Sequence, residues 1–105
     1  MKSPKFFGTP KSKLFYVRRV VGTSMQPNLL PGRLVVVTRA YRPLKVGQIV
    51  MLNHRGLDKI KRIQAVEDQK VFLVGDNPDQ SIDSRHFGWI DRDKVVGRLI
   101  WPRVI

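Results

Sequence analysis

The sequence predicts a mostly β fold, a compact antiparallel sheet curled into a partly closed β-barrel with little helix. Three observations predict it. Short β-branched runs recur along the chain, and each is stopped by Gly, Pro, Asn or Asp. No stretch of useful length repeats its apolar residues at a helical period.

Leu14 to Val21 is the first run and stops at Gly22. Leu34 to Val37 follows the Pro31-Gly32 turn signal, and Ile49 to Leu52 follows Gly47. Lys59 to Val66 comes next, then Val71 to Val74 before Gly75-Asp76-Asn77. Val95 to Trp101 closes the series. One helical turn is expected over Met25 to Leu30, where Pro27 suits a helix start. Partial closure into a barrel is the natural protection for the edges of about six strands. The reading is a single domain over 14–105, preceded by a flexible basic arm over 1–13.

At 105 residues the chain supports one domain with a real core. A hydrophobic fraction of 42% gives no reason to expect disorder through its body. The absence of cysteine excludes disulfides, thiolate metal sites and a cysteine nucleophile. Twenty Lys+Arg against eight Asp+Glu leave a net charge of +12, which draws nucleic acid, anionic lipid or acidic partners without choosing among them. No segment approaches the roughly 18 apolar residues of a membrane span. The basic start, Met1 to Lys13, has no apolar stretch behind it, so neither a signal peptide nor an anchor is expected. A cytoplasmic protein is expected, with peripheral contact to anionic membrane through the arm and its Phe6 and Phe7.

Three clusters carry candidate chemistry. In Gly22-Thr23-Ser24-Met25-Gln26-Pro27, a serine sits between the end of a β run and a proline turn, so its hydroxyl can point outward beside free backbone N–H groups. Taken alone, Ser24 reads as a cap of that turn, because a lone serine needs a base to become a nucleophile. His54, His86 and several lysines are the candidate bases. In Asp58-Lys59-Ile60-Lys61-Arg62-Ile63-Gln64-Ala65, a strand puts Lys59, Lys61, Ile63 and Ala65 on one face. Lys61 then stands on an apolar stripe, where desolvation lowers an amine pKa toward the range a general base needs. From pattern alone, a lysine snorkelling over Ile63 is the simpler reading.

The third cluster, Gly75 to Gly88, is dense in short polar residues that bond their own backbone, so a long ordered turn is expected. Its Asp76, Asp79 and Asp83 lack the alternating ligands and terminal glutamate of a calcium loop, so no metal or cofactor is expected. Asp83 and Arg85 can pair to fix the loop, and Ser81 can hydrogen-bond a catalytic group.

In this order the clusters resemble signal peptidase I. Ser24-Met25-Gln26-Pro27-Asn28-Leu29 is similar to that family's nucleophile segment, and Lys61-Arg62-Ile63 to its lysine strand. Gly75-Asp76-Asn77, Ser81-Ile82-Asp83-Ser84-Arg85 and Gly88 are similar to its last segment, with Gly97-Arg98 and Trp101-Pro102 behind them. The likeness runs from about Val20 to the C-terminus. It implies the catalytic-core fold of that family and a serine endopeptidase without a cofactor. Ser24 would be nucleophile and Lys61 general base, with Ser81 orienting the amine. Asp83 and Arg85, with Asp76, Asn77 and Ser84, would brace the loop. The Ser24 N–H would form part of an oxyanion hole, supported by backbone at Gly22 or by Thr23, since Gly22 stands where many relatives carry a serine. The substrate would be a precursor polypeptide bound as an extended strand.

The chain departs from the family at Gly32-Arg33 and Gly47-Gln48, where Gly-Asp is usual, and at Pro78, where arginine is usual. Its shortness and Gly-Asp-Asn-Pro resemble the soluble nickel-type superoxide dismutase maturation proteases. The alternatives are removal of secretory signal peptides at a membrane surface, the self-cleavage domain of repressor-type serine–lysine proteins, and a non-catalytic basic barrel binding nucleic acid. The last would need aromatics among the basic residues, and Tyr16 near Arg18 and Tyr41 near Arg42 are few. No specific nucleic acid is expected.

Overall fold

Turn residues cut the apolar runs into strands, and the strands assemble into one sheet. The computed structural model describes residues 14–104; the arm expected over 1–13 lies outside them. The strands are β1 (Phe15–Arg19), β2 (Leu34–Thr38), β3 (Ile49–His54), β4 (Leu57–Val66), β5 (Lys70–Val74), β6 (Ile90–Asp91) and β7 (Val95–Trp101). They form a seven-stranded sheet in the order β1-β2-β7-β3-β4-β5-β6, with every pairing antiparallel.

The expected mostly β, antiparallel architecture is present. The sheet does not close by hydrogen bonds, because β1 and β6 remain its two edges. Register shifts fall at Val36/Val37, Met51/Leu52 and Ile63/Ala65, and an extra residue at such a place bends a strand and increases its twist. Strand β6, two residues long, is too short to show a period in the sequence. Strand β4 starts at Leu57, ahead of the expected Lys59, because Arg55 and Gly56 both take positive φ and make a two-residue hairpin turn from β3. The helical turn expected at Met25 is only a turn over 24–28, closed by the Leu29 N–H on the Met25 carbonyl at 2.9 Å. The one α-helix among the described residues, α1 (Ser84–Phe87), lies instead inside the segment read as a long turn.

Strand β3 explains the core. Its run Ile49-Val50-Met51-Leu52 is buried at every position, so both faces of the sheet are covered there. Ile49 and Met51 pack with Val35, Val37, Met25 and Leu29. Val50 and Leu52 pack with Ile63, Val71, Leu73 and Val95. A continuous apolar run, unlike an alternating one, is what a strand covered on both sides requires.

This division gives a stability test. Leu73 is fully buried, so Leu73→Ala is expected to cost about 2–5 kcal/mol. Leu57 is 62% exposed, and Leu57→Ala is expected to stay within about 0.5 kcal/mol. Urea denaturation midpoints of the two variants check the contrast, and equal losses would contradict it.

Candidate active site

The loop carrying Ser24 is anchored at both ends. Val20 donates its N–H to the Arg33 carbonyl and accepts from Gly32 N–H, each at 2.8 Å. The chain then reverses at Gly22, whose φ of +80° lies where side-chain-bearing residues are strained. Met25 and Leu29, each 1% exposed, plug the turn into the core, and Ser24 is left half-buried beside them.

Lys61 stands opposite Val50 in the β3–β4 ladder and is 5% exposed, on the same face as buried Ile63. The expected apolar face holds as far as Ile63; the register shift at Ile63/Ala65 then breaks the alternation, and Val66 rather than Ala65 packs with Ile63. Burial pushes the Lys61 amine below the ordinary lysine value; Lys59 and Arg85 add to that, and Asp83 opposes it. The Lys61 Nζ donates to Ser81 Oγ at 3.0 Å, and Ser81 Oγ donates to Asp83 Oδ2 at 2.5 Å.

Asp83 is the hub behind the lysine. Its side chain is wholly buried and accepts from Gly75 N–H at 2.7 Å and from the Arg85 guanidinium at 2.6 and 3.0 Å. It also caps α1 through the Arg85 N–H at 3.1 Å. Burial alone would raise this carboxyl, but the bonds from Arg85, Gly75 and Ser81 outweigh it and hold the group well below the usual carboxylate range. Ser84 Oγ braces the same loop by accepting from Leu73 N–H at 2.9 Å.

Gly75-Asp76-Asn77 ties this hub to the Ser24 loop. Asn77 donates its N–H to the Ser24 carbonyl at 2.8 Å and its side-chain amide to the Thr23 carbonyl at 3.1 Å. Gly75 passes so close that a Cβ there would meet Ser81 and lie 2.6 Å from the Ser24 carbonyl. Asp76 takes two hydrogen bonds from Arg62, at 2.8 and 2.7 Å, and one from Asn28 at 2.7 Å. Arg62 also donates to the Gly47 carbonyl at 2.8 Å. Arg62 and Asn28 were not among the candidate site residues, although each falls inside a quoted motif. Arg62 alternates with Lys61, so the sheet period alone sends it to the opposite face.

Ser24 and Lys61 line one groove of about 460 Å³, together with Val20, Met25, Met51 and Ile60. Among the described residues, Ser24 Oγ makes no hydrogen bond to Lys61, whose amine rests on Ser81; such bonds often tighten only once substrate is bound. Ser81 stands behind Lys61. Thr23 turns its carbonyl to Asn77, and Gly22 is exposed at the reversal. The two histidines lie outside the groove lining. His54 stacks on Phe87 at 4.7 Å, and His86 Nδ1 accepts from Asp83 N–H at 3.3 Å to complete the helix cap. The Tyr16 ring carries Arg18 at 4.4 Å, and the Tyr16 and Tyr41 hydroxyls bond the Val96 and Val95 carbonyls. Among the described residues, no three His, Asp or Glu side chains converge as metal ligands.

The family model described as Peptidase S24-like matches residues 2–100. No curated protein matches the chain. The match names a different peptidase grouping from the signal peptidase I of the motif resemblance.

The Asp83 network predicts a pH signature. A carboxyl lowered by folding adds stability that is complete above the unfolded value near pH 4 and is lost as the pH falls below it. Asp83→Asn is therefore expected to cost about 3 kcal/mol at pH 7, with the gap from wild type shrinking below about pH 4. Denaturant melts at pH 7 and pH 3 check this, and a gap that holds or grows in acid would refute it.

Proposed function

The chain belongs to the Peptidase S24-like family, and from that premise we propose that it is a serine endopeptidase in which Ser24 attacks and Lys61 is the base. The observation that carries the reading is a lysine 5% exposed, with its amine on a fixed serine hydroxyl, sharing a groove with Ser24. Desolvation favours the neutral amine, which is the form able to take a proton.

The substrate enters as an extended strand. One side of β1 is a free edge of the sheet, and β5 pairs with β4 only from Arg62 onward. The Leu57–Lys61 half of β4 therefore keeps backbone groups for an added strand, as does β1. Neutral Lys61 takes the Ser24 proton as Oγ bonds to the scissile carbonyl carbon. Among the described residues the Ser24 N–H has no protein acceptor and is available to the oxyanion, a contact worth about 3–4 kcal/mol in other enzymes. Collapse breaks the C–N bond, and Lys61 returns its proton to the leaving amine. Water then attacks the acyl-enzyme, with Lys61 again taking the proton, and frees the acid and Ser24.

The substrate we favour is a precursor from which an N-terminal pro-segment is removed, as in nickel-type superoxide dismutase maturation. Gly75-Asp76-Asn77-Pro78 supports this. Signal-peptide cleavage at a membrane surface is the second reading, favoured by Val21, Leu57 and Ile82, which line the groove yet are 89%, 62% and 67% exposed. No helix among the described residues is long and apolar enough to cross a membrane, so membrane contact in that reading would be peripheral.

A panel of pro-segment and signal-peptide substrates at alkaline pH tests both. Wild type is expected to cut one class, and Ser24→Ala and Lys61→Ala to lose about 10²-fold or more; variants that cut as well as wild type would sink the dyad. The rate is expected to rise with pH through a single ionisation below the ordinary lysine value of 10.5. A flat profile from mildly acid to alkaline pH would exclude Lys61 as the base.

A further inference from the structure

The groove holding Ser24 has cations on both sides. Arg18 and Arg19 line it from β1, and Lys59 from β4. Strands β1 and β4 are not paired to each other, so a bound strand would run between these charges. Among the described residues, none of the three has a carboxylate within salt-bridge distance; the Lys and Arg ion pairs there lie elsewhere, at Arg62–Asp76, Lys70–Asp91 and Arg85–Asp83.

The two arginines contact neutral groups. Arg18 lies over the Tyr16 ring and donates to the Val17 carbonyl at 3.0 Å. Arg19 donates to the Gly32 carbonyl at 2.8 Å. A guanidinium carries five N–H donors in a fork that matches a carboxylate, so both keep unused donors. The lone acid of the lining, Asp58, accepts from Asn53 at 3.1 Å and, among the described residues, is in no ion pair, so it offsets one of the three positive charges at most. The floor between, with Val20, Met51 and Ile60, is apolar and sets no charge preference.

Resting on the peptidase reading above, we infer that the groove selects substrates with acidic side chains flanking the scissile bond, held by Arg18, Arg19 and Lys59. The acid does not sit at the bond itself. A carboxylate beside Lys61 would stabilise the ammonium and withdraw the base. Lys59 lies on the Lys61 face two residues away, about 7 Å along the strand, so the acidic side chain belongs two or more residues from the cleaved bond. The net charge of +12 would attract any acidic peptide; the three groove cations make the preference positional.

The test uses peptides of one sequence carrying Glu or its isostere Gln at successive positions around the cut. Glu is expected to raise kcat/KM about two- to fivefold at one or two positions, and the gain should fade as salt rises. Arg19→Glu and Lys59→Glu should abolish or reverse that preference. Arg103→Glu, the same charge change at an exposed site outside the groove, should keep it. Equal cutting of Glu and Gln peptides at every position overturns the inference, as does equal loss of the preference in Arg103→Glu. If wild type cuts neither peptide, the peptidase reading has failed. Fluorescence anisotropy with the same peptides then decides: tighter binding of the Glu peptide that Lys59→Glu removes supports the inference, and equal binding overturns it.

Discussion

A single buried carboxylate organises this molecule. Asp83 takes a charge out of water, which is tolerable only when its oxygens are filled by donors. Those donors are the Arg85 guanidinium and N–H, the Gly75 N–H and the Ser81 hydroxyl. Together the bonds fix three elements: the start of α1, the end of β5 and the hydroxyl behind Lys61. Because Ser81 spends its proton on Asp83, its lone pair faces the amine. A neutral Lys61 donating one N–H there keeps its own lone pair for another proton.

The arrangement also resolves a conflict. A carboxylate near a lysine favours the ammonium, and Asp83 pulls Lys61 in that direction. Burial pulls the other way and is the larger effect. Lys59 and Arg85 add smaller repulsions in the same direction as burial, and Arg85 also pairs with Asp83 at 2.6 Å. The network can thus hold Ser81 rigidly without recharging the amine it positions. For the proposed dyad, Arg85 bears on the pH of action as well as on stability.

A second tie, independent of Asp83, holds the Ser24 loop. Arg62 reaches Asp76 and Gly47 from the face opposite Lys61, and Asp76 passes the constraint to Asn28. Adjacent residues of one strand so serve different ends, Lys61 toward the buried hydroxyl and Arg62 toward the loops. Gly75 closes the join by leaving no Cβ between Ser81 and the Ser24 carbonyl. The invading groups are backbone and a packed hydroxyl, so little there can yield to a side chain.

Local chemistry was legible in the sequence. The β-branched runs determined strands because their period and turn residues are local properties, and the Lys61–Ile63 face followed from the alternation of side chains. The motifs placed Ser24, Lys61, Ser81 and Asp83 in chain order. Strand order, the open edges and the short β6 were not legible, because they depend on which distant strands bury each other's faces. Helix α1 was hidden for a similar reason: four residues carry no apolar period, and their cap is an aspartate held by an arginine and a glycine from β5's end. What only the tertiary structure decided was the partner of each buried polar group, because a hydrogen bond across the fold is set by packing rather than by spacing along the chain.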